Sequence, residues 1–98
     1  MDEFQESTQH ISDLLSSYRG FEIVTVEDYD FQVKCRDDDY VVKIDSFGED
    51  KNGRGIEVYR GTYAEMGTAL FKGDPLISIT GFDEEALAGA LAGAISHF

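Results

Sequence analysis

The sequence predicts an α+β domain: an antiparallel β-meander of about six strands, with an N-terminal and a C-terminal helix packed on one face. Three observations predict it. First, between Tyr29 and Asp45, Phe31, Val33 and Cys35 alternate with Gln32, Lys34 and Arg36. After Asp37-Asp38-Asp39, Tyr40, Val42 and Ile44 alternate with Val41, Lys43 and Asp45. Period-two alternation on both sides of a short turn is the mark of a half-buried hairpin. Second, Phe4, Ile11, Leu14, Leu15 and Tyr18 recur at helical spacing near the start of the chain. Third, Asp83 opens a C-terminal run of small and aliphatic residues with the signals of a helix start.

Taken in order, Asp2 to Arg19 reads as the first helix, with Asp2 as cap, Glu3 and Glu6 near the positive end of the dipole, and Gly20 as the left-handed stop. Phe21–Glu27 is rich in β-branched residues and reads as a strand. Asp28, Tyr29 and Asp30 turn the chain into the central hairpin. Phe47–Gly55 reads as a polar loop, Ile56–Arg60 as a fourth strand, and Gly61–Gly67 as a loop or short turn. Thr68–Lys72 and Leu76–Thr80 read as a last hairpin through Gly73-Asp74-Pro75. In the final helix Glu84 and Glu85 complement the dipole, and Phe82 and Leu87 hold the positions of a hydrophobic staple. Ala86, Gly89, Ala90, Gly93 and Ala94 let that helix approach a neighbour closely; packing on its own sheet is the first expectation, a self-association seam the second.

The 98 residues make a single domain, 1–98, with an apolar share of 42% that suits a folded chain and not a disordered one. A domain of this size has little spare area for a deep substrate cavity. Eight Lys and Arg against twenty Asp and Glu leave a formal net charge of −12. That balance argues against direct binding to nucleic acid or an anionic membrane. Cys35 is the only cysteine, so neither an internal disulfide nor a thiolate zinc cluster is available. No apolar run reaches membrane-spanning length, and Met1-Asp2-Glu3-Phe4 lacks the basic start of a signal peptide, so a soluble, cytoplasmic protein is expected.

Motifs for chemistry are few. A calcium loop starting at Asp50 needs an oxygen ligand at its fifth position and a bidentate Glu at its twelfth, where the chain has Arg54 and Gly61. Asp37, Asp38 and Asp39 are consecutive residues of a turn and point in different directions, which suits a solvated turn better than a metal clamp. His10 and His97 are the only imidazoles, and Cys35 shares the inward phase of Phe31 and Val33, as a buried thiol rather than a nucleophile does. No cofactor is implied.

The charge is more informative by place than by sum. In a meander the turn at Asp28–Asp30 and the loop holding Glu49 and Asp50 share one rim of the sheet with Glu27, and Asp37, Asp38 and Asp39 share the other. The expected function is therefore non-enzymatic binding, as a small acidic inhibitor or a nucleic-acid mimic whose charge is clustered on the rims, with Asp28, Asp30, Asp37, Asp38, Asp39, Glu49 and Asp50 as the contact residues. The expected partner is a basic protein surface, with nucleic-acid-binding proteins and complexes among the candidates. If both helices cover one face, Val24, Val26, Val41 and Tyr59 are left on the other, an open surface for a homodimer or partner. Small acidic inhibitors from phages and mobile elements, anti-CRISPR and nuclease-inhibitor proteins among them, are of this general kind; the likeness is one of class, carried by acidity and size, with no shared motif. Two alternatives stand beside it: a halophile's domain whose charge is environmental, and a small enzyme that uses carboxylates.

Overall fold

The computed structural model describes residues 2–66 and 73–98. Helix α1 (Glu3–Ser16) is followed by strands β1 (Phe21–Val26), β2 (Asp30–Cys35), β3 (Asp38–Phe47) and β4 (Gly53–Arg60). One helical turn, α2 (Tyr63–Met66), then precedes strand β5 (Ile77–Gly81) and helix α3 (Glu84–Ser96). The sheet has the order β1-β2-β3-β4-β5, with every neighbouring pair antiparallel. Both long helices lie on one face, as the alternation predicts: Phe31, Val33, Cys35, Tyr40, Val42 and Ile44 are buried in one core with Ile11, Leu15, Leu91 and Ile95.

Among the described residues the sheet has five strands, where the sequence suggests about six. The extra strand, Thr68–Lys72, lies outside the described residues, and β5 pairs directly with β4, Val58 opposite Ile77. The start of the connection from β4, at Tyr63, lies over the outer face of the sheet. There the Tyr63 backbone N–H donates to the Gln32 side-chain oxygen at 3.2 Å, and the Tyr63 hydroxyl donates to Asp30.

That crossing corrects the expectation of an open face. Val41 and Tyr59 point outward but are buried, Val41 completely; in register Val41 sits between Tyr59 and Gln32, which the crossing segment contacts. Val26 faces the core instead. Ile23 pairs with Val33 but Thr25 pairs with Gln32, so Val24 is the extra residue of a β-bulge. A bulge reverses the side-chain phase beyond it. Of the four, Val24 alone remains exposed, at 52%.

The central turn is tighter than the triple-aspartate reading. Cys35 pairs with Asp38, leaving a two-residue loop of Arg36 and Asp37, so Asp38 and Asp39 are strand residues. Arg36 takes φ 60°, a left-handed conformation that hairpin turns usually give to Gly, Asn or Asp. Its guanidinium donates to the Ser96 carbonyl at 2.7 Å, placing a cation on the last turn of α3. The loop after β3 is also shorter than 47–55, because β3 runs to Phe47 and β4 starts at Gly53. A Cβ on Gly53 would come within 2.9 Å of the Phe47 carbonyl oxygen and 2.9 Å of the Phe82 ring.

Helix α1 is capped as predicted. Asp2 accepts from the Phe4 and Gln5 N–H groups, and the Gln5 side chain accepts in turn from the Asp2 backbone N–H. Gly20 has φ +92°. The staple on α3 does not form as predicted: Phe82 is 64% exposed and packs on Phe47, centroids 5.8 Å apart, while buried Leu87 fills the space over Gly81.

These contacts separate two glycines that look alike in sequence. Gly53→Ala should destabilise the fold by about 1–3 kcal/mol, because the neighbours it meets include backbone. Gly93→Ala, with nothing within 4 Å of its Cβ, should gain about 0.5–1 kcal/mol of helix propensity. Urea melts of both variants beside the parent check the opposite signs.

Candidate functional site

Chain direction decides which charged groups meet. Helix α1 starts beside the β1–β2 turn, where the Tyr29 hydroxyl donates to Asp2 at 2.7 Å. Five antiparallel strands return the chain to that same end, so α3 also starts there, and Glu84 reaches Ser7 and His10 on α1. The two helices are therefore parallel, with both positive dipole ends at one pole. The chain places acids against them: Asp2, Glu3 and Glu6 on α1, and Asp83, Glu84 and Glu85 on α3. Glu27 and Asp28 of one turn and Glu49 and Asp50 of another lie at the same end. Counting the helix starts and the two turns, ten of the twenty carboxylates thus share one pole with Lys51 and Arg54, while Asp30 and Lys43 lie at the level of Glu27 and Asp45 beside them.

Arg54 does not neutralise that surface from outside. It is 8% exposed and faces inward, in phase with Ile56 and Val58. Its Nε donates to the Ser7 hydroxyl at 2.8 Å, its Nη1 to the Gly53 carbonyl at 2.8 Å, and its guanidinium lies 4.6 Å from the centre of the Phe4 ring. Ser7 passes the interaction on, its hydroxyl donating to Glu84 Oε2 at 2.7 Å. The other oxygen, Oε1, meets His10 Nδ1 at 2.7 Å. Burial pushes the Glu84 carboxyl up, but the bonds from Ser7 and His10 and the charges of His10 and Arg54 outweigh it, and it lies below its ordinary value.

Serine, histidine and glutamate in contact invite comparison with a nucleophile triad, and the geometry answers it. Ser7 and His10 converge on different oxygens of one carboxylate, so the serine proton goes to Glu84 and not to the imidazole. Ser7 is also buried. The arrangement ties α1, β4 and α3 together and activates no nucleophile. Among the described residues, no three His, Cys, Asp or Glu side chains are grouped to hold a metal ion. No helix there is long and apolar enough to cross a membrane.

The seven contact residues expected from sequence divide into two sets. Asp28, Glu49 and Asp50 lie exposed on the acidic pole, and Asp37 lies exposed in the turn at the opposite end. Asp30, Asp38 and Asp39 are strand residues with partners inside the chain. Asp30 accepts from Tyr63, Asp38 pairs with Arg60 at 3.5 Å, and Asp39 faces Gln32 Nε2 at 3.5 Å. The opposite end is closer to balance, with Arg19, Lys34, Arg36 and Arg60 near Glu22, Asp37, Asp38, Asp39 and Asp74.

Sequence reasoning missed the six helix-terminal acids as part of the surface and the burial of Arg54, and it gave Phe82 only the place of a helix staple. A signal for Arg54 was present: it precedes Ile56 and Val58 at period two, which places it on the inner face.

Ser7→Ala should cost about 1–3 kcal/mol, since it leaves the buried Arg54 Nε–H without its acceptor; a denaturant melt measures it. The folded Glu84 carboxyl is held below its ordinary value of 4.5. Its stabilisation is therefore complete above that pH and is lost as pH falls through the folded value. Glu84→Gln should flatten the acid limb of the stability curve below pH 4.5, as melts across pH will show. No protein-family model, curated protein or solved structure matches this chain significantly.

Proposed function

We propose that this chain is a non-enzymatic binding module whose acidic pole docks on a basic protein surface, in the manner of a small acidic inhibitor. The observation that carries the reading is the concentration of charge. Ten carboxylates against Lys51 and Arg54 leave one end eight charges negative, out of −12 for the whole chain. The other end is closer to balance. Such a pole steers a basic partner into one orientation and speeds encounter, with both effects fading as salt rises.

Its density bears on the kind of partner. The described residues present 5621 Å² of surface. A pole covering about a third of that gives each carboxylate roughly 190 Å², against roughly 100 Å² per phosphate on duplex DNA taken as a cylinder of ~10 Å radius. The charge is thus about half as dense as a duplex. Complementarity to a few Lys and Arg side chains of a nucleic-acid-binding or other basic protein fits this better than imitation of a duplex along its length.

Two triple variants test the reading in capture from the source cell and then against the purified partner. Asp28→Asn with Glu49→Gln and Asp50→Asn should weaken binding about ten- to a hundredfold at low salt, at roughly 0.5–1 kcal/mol per charge. Asp37→Asn with Asp38→Asn and Asp39→Asn should retain binding, though it loses stability through the Arg60 and Gln32 contacts. Equal affinity of the pole variant and the parent would end the acidic-pole reading. A parent that folds only in molar salt would assign the charge to its environment instead.

A further inference from the structure

We infer that Phe82 is the apolar anchor of the acidic pole, and that the partner it fits is a basic protein surface with an apolar pocket set among its Lys and Arg side chains. This rests on the docking role proposed above and adds its point of attachment.

Phe82 is the most exposed large hydrophobic side chain among the described residues, at 64%. Exposure alone means little for a single residue. Its mounting is what distinguishes it. One side of the ring packs at a tilt against Phe47, the planes 59° apart, and Phe47 is itself 39% exposed. Its edge lies over two glycines of the β3–β4 region, where a Cβ on Gly48 would come within 3.4 Å of the ring and one on Gly53 within 2.9 Å. The backbone beneath is stripped of side chains, and the ring is held in place with most of its surface facing water. A side chain fixed in this way loses little freedom on binding, which is the property of an interface anchor.

The surroundings select the occupant. Glu49 and Asp50 follow Gly48 directly, and Asp83 and Glu85 follow Phe82; all four are exposed. A second copy docking through this ring would bring like charges together, and an anionic membrane would be repelled in the same way. A basic surface gains from every one of these carboxylates. Lys and Arg around a pocket for one phenyl ring make the complementary shape, with the charged pairs excluding water around the apolar contact.

The chain has no tryptophan, so Phe82→Trp places a single fluorescent reporter at the anchor. The probes are two peptides of about twelve residues with equal positive charge, one alternating Lys and Leu, the other Lys and Ser, titrated at low salt. The Lys/Leu peptide should bind about tenfold tighter or more, since a buried phenyl-sized contact adds at least that much, and should shift the indole emission of the Phe82→Trp variant to the blue. Phe82→Ser should bring the affinity for Lys/Leu down to that for Lys/Ser while melting like the parent. Leu76→Ser, which removes another exposed hydrophobe, should leave the ratio unchanged. Equal binding of the two peptides with no blue shift overturns the anchor and leaves the charge reading standing. Binding of neither removes both. Blue-shifted emission without peptide, with sedimentation as a dimer, also overturns it, because a second copy then covers the ring. If Phe82→Ser fails to fold, the peptide ratio and the indole shift still decide.

Discussion

The parallel packing of α1 and α3 against one face of the sheet is the constraint on which the rest of the structure depends. It follows from strand number. A helix, an odd number of antiparallel strands and a second helix bring both helix N-termini to one end; an even number would separate them. With five strands in the sheet, the two helix dipoles add at that end instead of cancelling. The first turns of both helices are acidic, and that acid is first of all a complement to the dipoles. Neither helix carries a basic residue in its last turn. Arg36 supplies a cation for α3 from the β2–β3 turn, which lies at the opposite end of the sheet. The charge asymmetry of the molecule is thus a consequence of its topology before it is anything else.

The same packing explains why the inner side of α1 is so polar. Ser7, Thr8 and Ser12 are buried beside Ile11 and Leu15, facing a helix whose own buried positions include Ala88 and Ala92. Small side chains on both helices let their backbones come close. Hydroxyls inside a core require partners, and here the partners are local. Thr8 donates to the Phe4 carbonyl and Ser12 to the Gln9 carbonyl, so neither needs anything beyond its own helix. Ser7 is the exception and works between elements, accepting from Arg54 and donating to Glu84. A buried arginine is costly unless its donors are met. Arg54 meets its own with a hydroxyl, a backbone carbonyl and the face of Phe4.

The sequence was legible where local pattern and tertiary context agree. Phe31, Val33, Cys35, Tyr40, Val42 and Ile44 declare their face by alternation, Asp2 and Asp83 declare their helices, and the structure bears out each. It was illegible where one residue resets a phase or a segment crosses a surface. The bulge at Val24 turns Val26 inward with nothing in the composition of β1 to mark it. The hairpin turn falls on Arg36 and Asp37 rather than on all three aspartates because register is set by both strands together, and a third strand pins it here. Phe82 has the spacing of a staple, but its ring finds Phe47 and two bare glycines, contacts that exist only once β3, β4 and β5 are side by side. The rim acids were partly visible. The helix acids that join them depend on the direction of α3, which no local pattern encodes.

These differences bear on where the partner proposed above would bind. Sequence alone offers two surfaces, an outer sheet face with apolar residues and a set of acidic rims. The chain fills much of the first itself. The segment after β4 lies over Gln32, the Tyr63 hydroxyl is bonded to Asp30, and Lys43 pairs with Glu57 at 3.7 Å in the neighbouring row. Burial raises the Tyr63 hydroxyl pKa and the bond to Asp30 adds to it, so the proton stays on the tyrosine as pH rises. A partner strand or helix approaching this face would have to displace bonds already made. At the acidic pole Asp28, Glu49 and Asp50 are exposed to water, and docking there would replace solvent rather than structure. The intramolecular roles of Asp30, Asp38 and Asp39 thus leave the pole as the surface with the least to lose on binding.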